Sequence, residues 1–530
     1  MDTVTIYSVV AGGILVTLTL IRVICSLKSR INTFSMLISK HLAYPCLLKR
    51  HRLFGPWTRA NVLLYIVYGV VTIFFIAFRV PSASEAARRA GTLSLVNMGV
   101  TFIATHLSFL ADCLGISLKI CRRIHRAAGW MAGVLLTFHI ILHTLVQRAE
   151  LSFRNHSNLF GLIGAASLIF LLLFSLPFCR RLAYEIFLRT HQSLAAVSVY
   201  ATWRHLPSDS IFPRIYIYVP LGILSLTTLL QFLIFLYRNR VLSSQLSPRA
   251  LVTCEKDDPS DKNDQVEGRP IKIHVTLPQP LEVKAGQYVN LWVPSVGLGL
   301  ASWMQTHPFM VTSWSPGKQD VLELFAQTRR GLTAKLQARA AVDGSASFTV
   351  FVSGPHGLSE PVSHYETVLA IASGFGIAGV LPYLKQLLHG YNTSTSSIRR
   401  VHLVWQVETL DIAIAAQPLL NSLLVDDVLD NGYILEMSFY MESSTKVKDE
   451  RPFGKHKRAM LYHNQPNYRE IILSEVSGDY IPRLPNIHEE RGRLLVMVSV
   501  SDELRDRLQE IVRSYLHDKV GMCEVEFQPV

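Results

Sequence analysis

Seven apolar stretches, each about 20 residues long, occupy the first 240 residues of this chain of 530. They lie near residues 5–26, 61–79, 93–114, 124–147, 159–178, 187–206 and 214–237. An α-helix of that length matches the hydrocarbon thickness of a lipid bilayer. The first stretch lacks the basic lead and cleavage site of a signal peptide, so we expect it to remain as a span. The pattern predicts a multi-span α-helical membrane bundle over residues 1–240, with the bilayer as a partner.

The rest of the chain has the composition of a soluble protein. Residues 241–270 are charged and rich in Ser and Pro, which predicts a linker. Short segments of alternating hydrophobicity predict β-strands over residues 271–362. Residues 363–530 begin with a buried strand, Val368–Ala372, then a glycine-rich turn and a helix, and a second strand follows at Val401–Trp405. This order predicts a parallel α/β domain at the C-terminal end.

The composition excludes several functional classes. The net charge is +13, but the chain has no zinc-finger spacing and no basic-aromatic stripe, so we expect no nucleic-acid partner. Its seven cysteines are scattered and contain no C-x-x-C pair, so neither a disulfide framework nor a zinc site is expected.

The distribution of Lys and Arg among the loops sets the expected orientation in the membrane. Basic residues crowd into the loops at 27–60, 115–124 and 179–190, and the alternate loops hold only Arg88, Arg89, Arg148 and Arg154. The basic loops are therefore expected in the cytosol, together with the C-terminal half. Asn155-His156-Ser157 forms a glycosylation sequon, and this topology places it outside.

Two histidine pairs lie inside the predicted spans, where ionisable residues are costly and are candidates for function. His125 and His139 share the fourth span, and His191 and His205 share the sixth. The members of each pair are 14 residues apart, so they share one helix face about 21 Å apart along the axis. Both helices run outward, so His125 should pair with His191 in an inner site. His139 should then pair with His205 in an outer site, and each pair suits a haem iron held by two imidazoles.

Two further histidines lie in these spans. His106 in the third span has no partner at a matching spacing, so we expect it to be a hydrogen-bonded packing residue. His143 lies one turn beyond His139 and faces the same way, so it is an alternative ligand for the outer site.

The sequence around these histidines resembles a known family. The residues that carry the likeness are His125-Arg126-x-x-Gly129-Trp130, followed by His139, and Arg181-x-x-Tyr184-Glu185-x-Phe187-x-x-x-His191. They are similar to the signature of the ferric reductase and NADPH oxidase superfamily, and the chain resembles its fungal ferric and cupric reductases over roughly residues 90–530. The resemblance implies that the four histidines ligate two stacked b-type haems. It leaves open whether Arg122, Arg123, Arg126 and Arg180 pair with haem propionates or are ordinary positive-inside residues.

The likeness continues into the soluble half, where it implies an antiparallel β-barrel that binds FAD. Ala285-Gly286-Gln287-Tyr288-Val289 and the later His-Pro-Phe resemble this barrel. Arg329-Arg330-Gly331-Leu332-Thr333 opens a helix, and a helix start beside Gly is a natural phosphate site, although an ordinary capped helix looks similar. The implied FAD residues are His307, Pro308, Phe309, Thr312, Arg330, Gly331 and Thr333.

The third implied site holds a nicotinamide nucleotide, as in a ferredoxin-reductase-like α/β domain. A G-x-G-x-x-G between a strand and a helix is a credible pyrophosphate cradle. The implied residues are Gly354, Gly357, Gly374, Gly376, Gly379 and Ser499. The family implies NADPH, and NADH stays possible.

Three positions depart from the family pattern. Met310 replaces the usual Thr after His-Pro-Phe, which removes one hydroxyl near the flavin. The Gly-Arg-Pro that grips the 2′-phosphate reads Asn464-Gln465-Pro466, and Glu408 follows the second strand where a cation would favour that phosphate. The late Cys-Gly-Pro reads Ser499-Val500-Ser501, so the bulk of Val500 beside the nicotinamide is a reason to expect slower hydride transfer.

The resemblance implies a transmembrane metalloreductase. Electrons would pass from cytosolic NAD(P)H through FAD and two haems to external ferric or cupric ions or their chelates, from a plasma-membrane location. Dioxygen as the acceptor, giving superoxide, is the first alternative. A degenerate haem or flavin protein with a sensing or partner role is the second. The sequence names no subunit partner.

Overall fold

The computed structural model describes most of the chain. The ranges outside its description are 1, 4, 6, 11, 15–33, 52–54, 104–105, 148–153, 183, 210, 242–246, 255–267, 297–305, 330, 429–432, 442–450, 454–457, 483–490, 517–518 and 528–530. The chain divides into two compact units. The first comprises residues 1–31 and 46–232, and the second comprises residues 32–45 and 233–530.

Helices dominate the first unit because its apolar stretches satisfy their backbone groups internally. In the described part they are α1 (Arg59–Ala77), α2 (Ala83–Ile103), α3 (Leu107–Leu114), α4 (Leu118–Gln147), α5 (His156–Phe174), α6 (Pro177–Leu182), α7 (Tyr184–His205) and α8 (Ile211–Arg238). A short antiparallel pair, β1 (Cys46–Leu48) and β2 (Trp57–Thr58), precedes α1. The side chain of Thr58 caps α1 by accepting a hydrogen bond from Asn61 N.

Within the described residues, four helices are long and apolar enough to cross a membrane: α1, α4, α5 and α8. The bent pair α2 and α3 makes a fifth if it is one span, so the predicted third stretch is broken near His106. The predicted sixth stretch is the helix α7, which is not among these four. Glu185, Arg189 and Arg204 interrupt its apolar run. The first predicted stretch lies largely outside the described residues.

Small residues bring the helices of this unit together in pairs. α2 packs along α4, where Ala90 and Ala132 are fully buried and Ser94 Oγ donates to Ala132 O at 2.8 Å. α5 packs along α7, where Ser198 Oγ donates to Gly164 O at 3.4 Å. Small side chains allow two helix backbones to approach closely in a membrane. Each histidine-bearing helix, α4 and α7, therefore has its own close neighbour.

An antiparallel β-barrel begins the second unit. Its elements are β3 (Arg249–Thr253), β4 (Pro270–Glu282), β5 (Tyr288–Trp292), β6 (Thr306–Met310), β7 (Lys318–Gln327), α9 (Leu332–Asp343), β8 (Ser345–Thr349) and β9 (Phe351–His356). The strands form sheets in the orders β7-β4-β3-β8 and β6-β5-β9, with every pair antiparallel. Ile271, Ile273 and Val275 alternate into the core, the period of two expected for a half-buried strand.

A parallel α/β domain completes the second unit. Its elements are β10 (Thr367–Ser373), α10 (Ile377–Asn392), β11 (Arg400–Val407), α11 (Leu410–Asp426), β12 (Leu435–Met441), β13 (Arg451–Pro452), β14 (Ala459–Tyr462), α12 (Tyr468–Ser477), β15 (Leu494–Ser499), α13 (Asp502–Tyr515) and β16 (Val520–Glu524). The strand order is β13-β14-β12-β11-β10-β15-β16, and only the β13–β14 pair of these described strands is antiparallel. Every residue of β10 is buried because helices cover both faces of a parallel sheet. The predicted fold class is confirmed.

A short segment from early in the chain belongs to this second unit. Within the described residues, 34–45 belong to this unit, and Tyr44 packs against the last elements of the α/β domain. Lys40 Nζ donates to Leu516 O at 3.1 Å, and Arg513 Nε donates to Lys40 O at 3.0 Å. Burial raises the pKa of the Tyr44 hydroxyl, which donates to Met522 O at 3.4 Å.

Candidate functional site

Two of the predicted histidines meet inside the first unit. His125 lies in the second turn of the long helix α4, and His191 lies in the second turn of α7. Their ring centroids are 6.2 Å apart, with the ring planes inclined by 47°. Metal–imidazole bonds of about 2 Å on each side, plus the radius of each ring, require a centroid separation of roughly 6 Å. The two rings can therefore hold one metal atom between them.

His191 is also held from behind. Its Nδ1 lies 3.3 Å from Ser175 Oγ, and Ser175 donates the same hydroxyl to Leu171 O at 2.7 Å. The ring of Phe187 lies 5.4 Å from the His191 ring. A histidine that ligates a metal commonly uses its other nitrogen for such a contact, which fixes the ring orientation.

His139 packs into a site on the neighbouring helix α2 that consists of the Ala87 carbonyl and the space beside Gly91, and we call this site its seat. Its Nδ1 lies 2.8 Å from Ala87 O, which orients the ring and leaves Nε2 without a protein partner among the described residues. One turn further along α2, a Cβ added to Gly91 would lie 3.0 Å from His139 Nδ1. Only a glycine lets the ring approach that closely without moving its neighbours. The His143 ring stacks on the His139 ring at 5.8 Å.

His205 occupies a matching seat on helix α5. Its Nδ1 lies 2.8 Å from Ser157 O, and Ser157 Oγ donates to His205 O at 2.9 Å. One turn further along, a Cβ added to Gly161 would lie 2.7 Å from His205 Nδ1. The two outer histidines thus share one arrangement: a carbonyl that accepts from Nδ1, and a glycine four residues later that clears space for the ring.

Sequence reasoning missed both seats. The signal that could have found them is a small residue followed four positions later by glycine, as in Ala87–Gly91 and Ser157–Gly161, a spacing typical of close helix contacts in membranes. The predicted sequon also falls here, since Asn155 Oδ1 caps α5 by accepting from Ser157 N at 3.0 Å.

Two of the other polar residues predicted in this unit, His106 and Arg123, have hydrogen-bond partners on neighbouring helices. His106 Nε2 lies 3.0 Å from Thr228 Oγ1, as expected for a packing histidine. Arg123 donates to Asn61 Oδ1 at 2.5 Å. Arg126 is exposed, and the side chain of Arg180 lies outside the described residues.

In the second unit, the predicted nucleotide glycines lie where the strand order of the sheet reverses. β10 lies at this reversal, with β11 on one side and β15 on the other. Ligands of open α/β sheets bind at such a point, beyond the carboxyl ends of the strands. Gly374 and Gly376 form a 3₁₀ turn directly after β10. The indole of the fully buried Trp405 fixes this turn by donating to Gly374 O at 2.9 Å.

Ser499 lies against the same turn. A Cβ on Gly376 would collide with Ser499 O, and a Cβ on Gly379 would lie 2.8 Å from Ser499 Oγ. The Ser499 hydroxyl is buried and has no hydrogen-bond partner among the described residues, so it is a polar group poised for a ligand. Val500 instead packs in the core with Leu369 and Ile371. The Val500 side chain therefore lies on the face of the sheet that Leu369 and Ile371 share, and the slower hydride transfer expected from its bulk stays a prediction.

At the end of β9, Gly354 lies against the Tyr288 carbonyl and Gly357 lies against the Tyr288 ring. Both have positive φ, at 122° and 99°, so a larger residue would be strained there. A Cβ on Gly357 would lie 3.3 Å from the Tyr288 ring, and Gln287 Nε2 donates to Gly357 O at 3.1 Å.

The predicted FAD residues fall into two groups. His307 and Pro308 on β6 are partly exposed, whereas Phe309 packs in the barrel core. Thr312 is fully buried, and its hydroxyl donates to Glu323 O at 2.9 Å, so it stabilises the sheet and presents no surface to a ligand. Met310 is also buried.

The helix start predicted to bind the FAD diphosphate is present. Gly331, with φ of 95°, precedes α9, and Thr333 Oγ1 lies 2.8 Å from Arg329 N. Burial lowers the pKa of the Arg329 guanidinium. The predicted Arg330 lies outside the described residues.

Three family models match consecutive parts of the chain. The ferric reductase like transmembrane component matches residues 90–202. An FAD-binding domain matches residues 262–360, and the ferric reductase NAD binding domain matches residues 365–493.

Individual relatives agree with these matches. The ferric/cupric reductase transmembrane component 2 of Saccharomyces cerevisiae is 26% identical over 360 residues, covering 66% of this chain and 47% of the yeast protein. A probable cell surface ferric reductase, kap2, of Aspergillus oryzae is 23% identical over 350 residues, or 61% of this chain and 44% of that protein. The chain thus spans about half the length of these curated relatives. Among solved structures, flavohemoglobin from Malassezia yamatoensis aligns over 84% of this chain and 99% of its own, with 12% identity and a TM-score of 0.37.

Proposed function

We propose that this chain, which belongs to the ferric reductase family, carries electrons from a cytosolic nicotinamide nucleotide to ferric or cupric ions across a membrane. The observation that carries the proposal is the meeting of His125 and His191 from two different helices, with ring centroids 6.2 Å apart. When bound, FAD would accept two electrons from the nucleotide as a hydride and pass them on singly, and two b-type haems would carry them further one at a time.

The haem sites are proposed at the four histidines predicted from their spacing. His125 and His191 would hold the inner haem, and their ring separation supports this assignment. His139 and His205 would hold the outer haem, with each Nδ1 bound to a carbonyl so that Nε2 is directed away from that contact. His143, which stacks on His139, stays the alternative outer ligand.

The nucleotide site is proposed where the strand order reverses. Gly374, Gly376 and Gly379 would admit the pyrophosphate to the start of α10, because any side chain at the last two would meet Ser499. The unpartnered Ser499 hydroxyl would then accept a contact from the nicotinamide ring or its amide. Gly354 and Gly357 would give the nucleotide access to the barrel end of this site.

The FAD site is proposed on the barrel. His307 and Pro308 would touch the flavin, and Phe309 and Thr312 would support them from beneath. The start of α9, with Gly331, Thr333 and Arg330, would bind the diphosphate.

The soluble half is proposed to lie in the cytosol, with the chain in the plasma membrane. Residues 32–45, from the basic loop between the first two predicted spans, pack in the same unit as the α/β domain. Two parts in contact must lie on the same side of a bilayer, so this contact supports one cytosolic side for both. The cell surface named for the Aspergillus relative favours the plasma membrane.

The test is an optical and metal-reduction assay on the purified full chain in detergent or lipid nanodiscs. Reduction with nucleotide should give the spectrum of a b-type haem at about two haems per chain, together with ferrous or cuprous chelate. A preparation with no b-type spectrum would defeat the proposal. Superoxide output in place of chelate reduction would change the acceptor to dioxygen. If neither nucleotide bleaches the flavin, the alternative of a degenerate haem or flavin protein with a sensing or partner role is favoured.

A further inference from the structure

An acidic side chain lies over the first glycine of the proposed nucleotide turn. Glu408 is the first residue after β11. A Cβ added to Gly374 would lie 2.9 Å from both Cδ and Oε1 of Glu408 and 3.1 Å from Oε2. The carboxylate therefore packs directly against this glycine, at the carboxyl edge where the strand order reverses.

The glycine turn beside Glu408 is held in place, and the Glu408 side chain is exposed. Trp405 holds the glycine turn from below through its hydrogen bond to Gly374 O at 2.9 Å, so the turn cannot easily withdraw from the carboxylate. Glu408 is exposed, and no Lys or Arg of the described residues forms an ion pair with it. Its negative charge is thus free to act on a ligand at this edge.

An acid after the second strand of such a domain recognises one form of the nucleotide. A carboxylate accepts hydrogen bonds from the adenosine ribose hydroxyls of NADH, whereas the 2′-phosphate of NADPH carries negative charge that it repels. Strand β14 lies two places from β11 in the sheet, and Asn464 and Gln465, which follow it at the position of the family's 2′-phosphate motif, are exposed and neutral.

We infer that Glu408 makes this chain selective for NADH over NADPH. The inference rests on the proposed function, because it concerns the nucleotide of that same site. It deepens the proposal by assigning one residue to the choice of electron donor, against the expectation that the family resemblance implies.

One cation near this edge provides an internal check. Burial raises the pKa of the Tyr468 hydroxyl, and the nearby guanidinium of Arg507 opposes part of that rise. Tyr468 donates to Gln406 Oε1 at 2.8 Å, two residues before Glu408. If Arg507 bound a 2′-phosphate, its replacement by Gln would weaken most the binding of ligands that carry a 2′-phosphate.

The experiment measures binding without electron transfer. The purified full chain is titrated by calorimetry with adenosine 5′-monophosphate and with adenosine 2′,5′-bisphosphate, which differ only in the 2′-phosphate. We expect the monophosphate to bind about tenfold more tightly. Glu408→Gln should reduce that preference, and Glu408→Arg should reverse it. Glu510→Arg, an equal change of charge on the exposed side of α13, should leave it unchanged.

Each other result counts against the inference. Equal or tighter binding of the bisphosphate to the unaltered chain overturns it, as does an unchanged preference in Glu408→Arg. If Arg507→Gln selectively weakens binding of the bisphosphate, recognition of the 2′-phosphate belongs to Arg507 instead. If NADH and NADPH bleach the flavin with the same half-maximal concentration, the selectivity for NADH is overturned and the proposed function stands. If neither nucleotide binds the chain or bleaches the flavin, the inference and the proposed function both fail.

Discussion

His139 and His205 of the membrane unit (residues 1–31 and 46–232) and His402 of the α/β domain are held in different ways. His139 and His205 each use Nδ1 for a backbone carbonyl, and Nε2 has no protein partner among the described residues. His402, in the α/β domain, has both nitrogens engaged: Nδ1 lies 2.8 Å from Glu475 Oε1 and Nε2 lies 2.9 Å from Ser438 Oγ. A histidine with one nitrogen oriented is ready to ligate, whereas a histidine with both engaged is a structural link.

This contrast separates function from packing better than burial does. His402 is buried, and His106 in the membrane unit is hydrogen-bonded to Thr228, yet neither has a second histidine facing it among the described residues. His139 and His205 combine an oriented Nδ1 with space for the ring made by a glycine, whereas His125 and His191 face each other. The following predictions test this combination, beginning with the largest expected effect.

Replacing a seated membrane histidine should remove one haem. In His205→Ala we expect about half of the haem to be lost, because one of two bis-histidine sites loses a ligand. The measurement is haem per chain by the pyridine haemochrome spectrum. His106→Ala is the matched control, since it removes another hydrogen-bonded membrane histidine and should keep full haem content. Equal haem in both variants would show that the seats do not mark ligands.

Filling a glycine seat should weaken haem binding without removing a ligand. In Gly161→Ala the new methyl would lie 2.7 Å from His205 Nδ1, so the ring must move, and we expect about 10-fold weaker retention of the outer haem. Gly91→Ala, at 3.0 Å from His139 Nδ1, should have a smaller effect. Haem loss to excess apomyoglobin measures retention.

The control for the glycine variants is Gly222→Ala, where an added Cβ meets nothing within 4 Å. It should match the unaltered chain. If Gly222→Ala loses haem as fast as Gly161→Ala, the effect is general loosening of the helices and the seat carries no special role.

Replacing His402 should lower stability and leave haem untouched. His402→Ala leaves Ser438 and one contact of Glu475 unpaired in the core, a cost of about 1–3 kcal/mol. The expected result is a lower denaturant midpoint for unfolding of the α/β domain. The measurement is the extent to which nucleotide protects that domain from proteolysis. The haem spectrum serves as the internal control, and a loss of haem would contradict the division between the two kinds of histidine.

The smallest effect is the pH dependence of the Glu475 network. Burial raises the pKa of Glu475, but hydrogen bonds from His402 and Arg400 outweigh it and the net pKa is lowered. A lowered folded pKa contributes stability above the unfolded pKa of about 4.3, which is lost as pH falls through the folded value. The stability gap between the unaltered chain and Glu475→Gln should therefore be constant near neutral pH and shrink below about pH 4.3. A gap that widens on acidification would reverse the sign and refute the assignment.

Two kinds of pattern made much of the site predictable. The 14-residue spacing placed His125 and His191 at equivalent turns of α4 and α7, and these are the rings that meet. The glycine-rich motif between a strand and a helix singled out Gly376 and Gly379, and in the structure both lie against Ser499. Both patterns are local, and helix periodicity or backbone conformation fixes their geometry.

Other features were beyond sequence reasoning because they depend on which elements pack together. His106 contacts Thr228, 122 positions later in the chain, and Val500 packs with Leu369 and Ile371, which precede it by more than 100 positions. Nothing in the sequence near Glu408 tells that its carboxylate lies over Gly374, 34 positions earlier.

The sequence by itself determined the two-part architecture, the histidine spacing and the glycine turn, because hydrophobic length and backbone periodicity are properties of neighbouring residues. Only the tertiary structure decided that Nδ1 of His139 and of His205 is held by a carbonyl and that Nε2 is left for a ligand. Those contacts join α4 to α2 and α7 to α5, and helix packing brings together groups that lie about 50 residues apart in the chain.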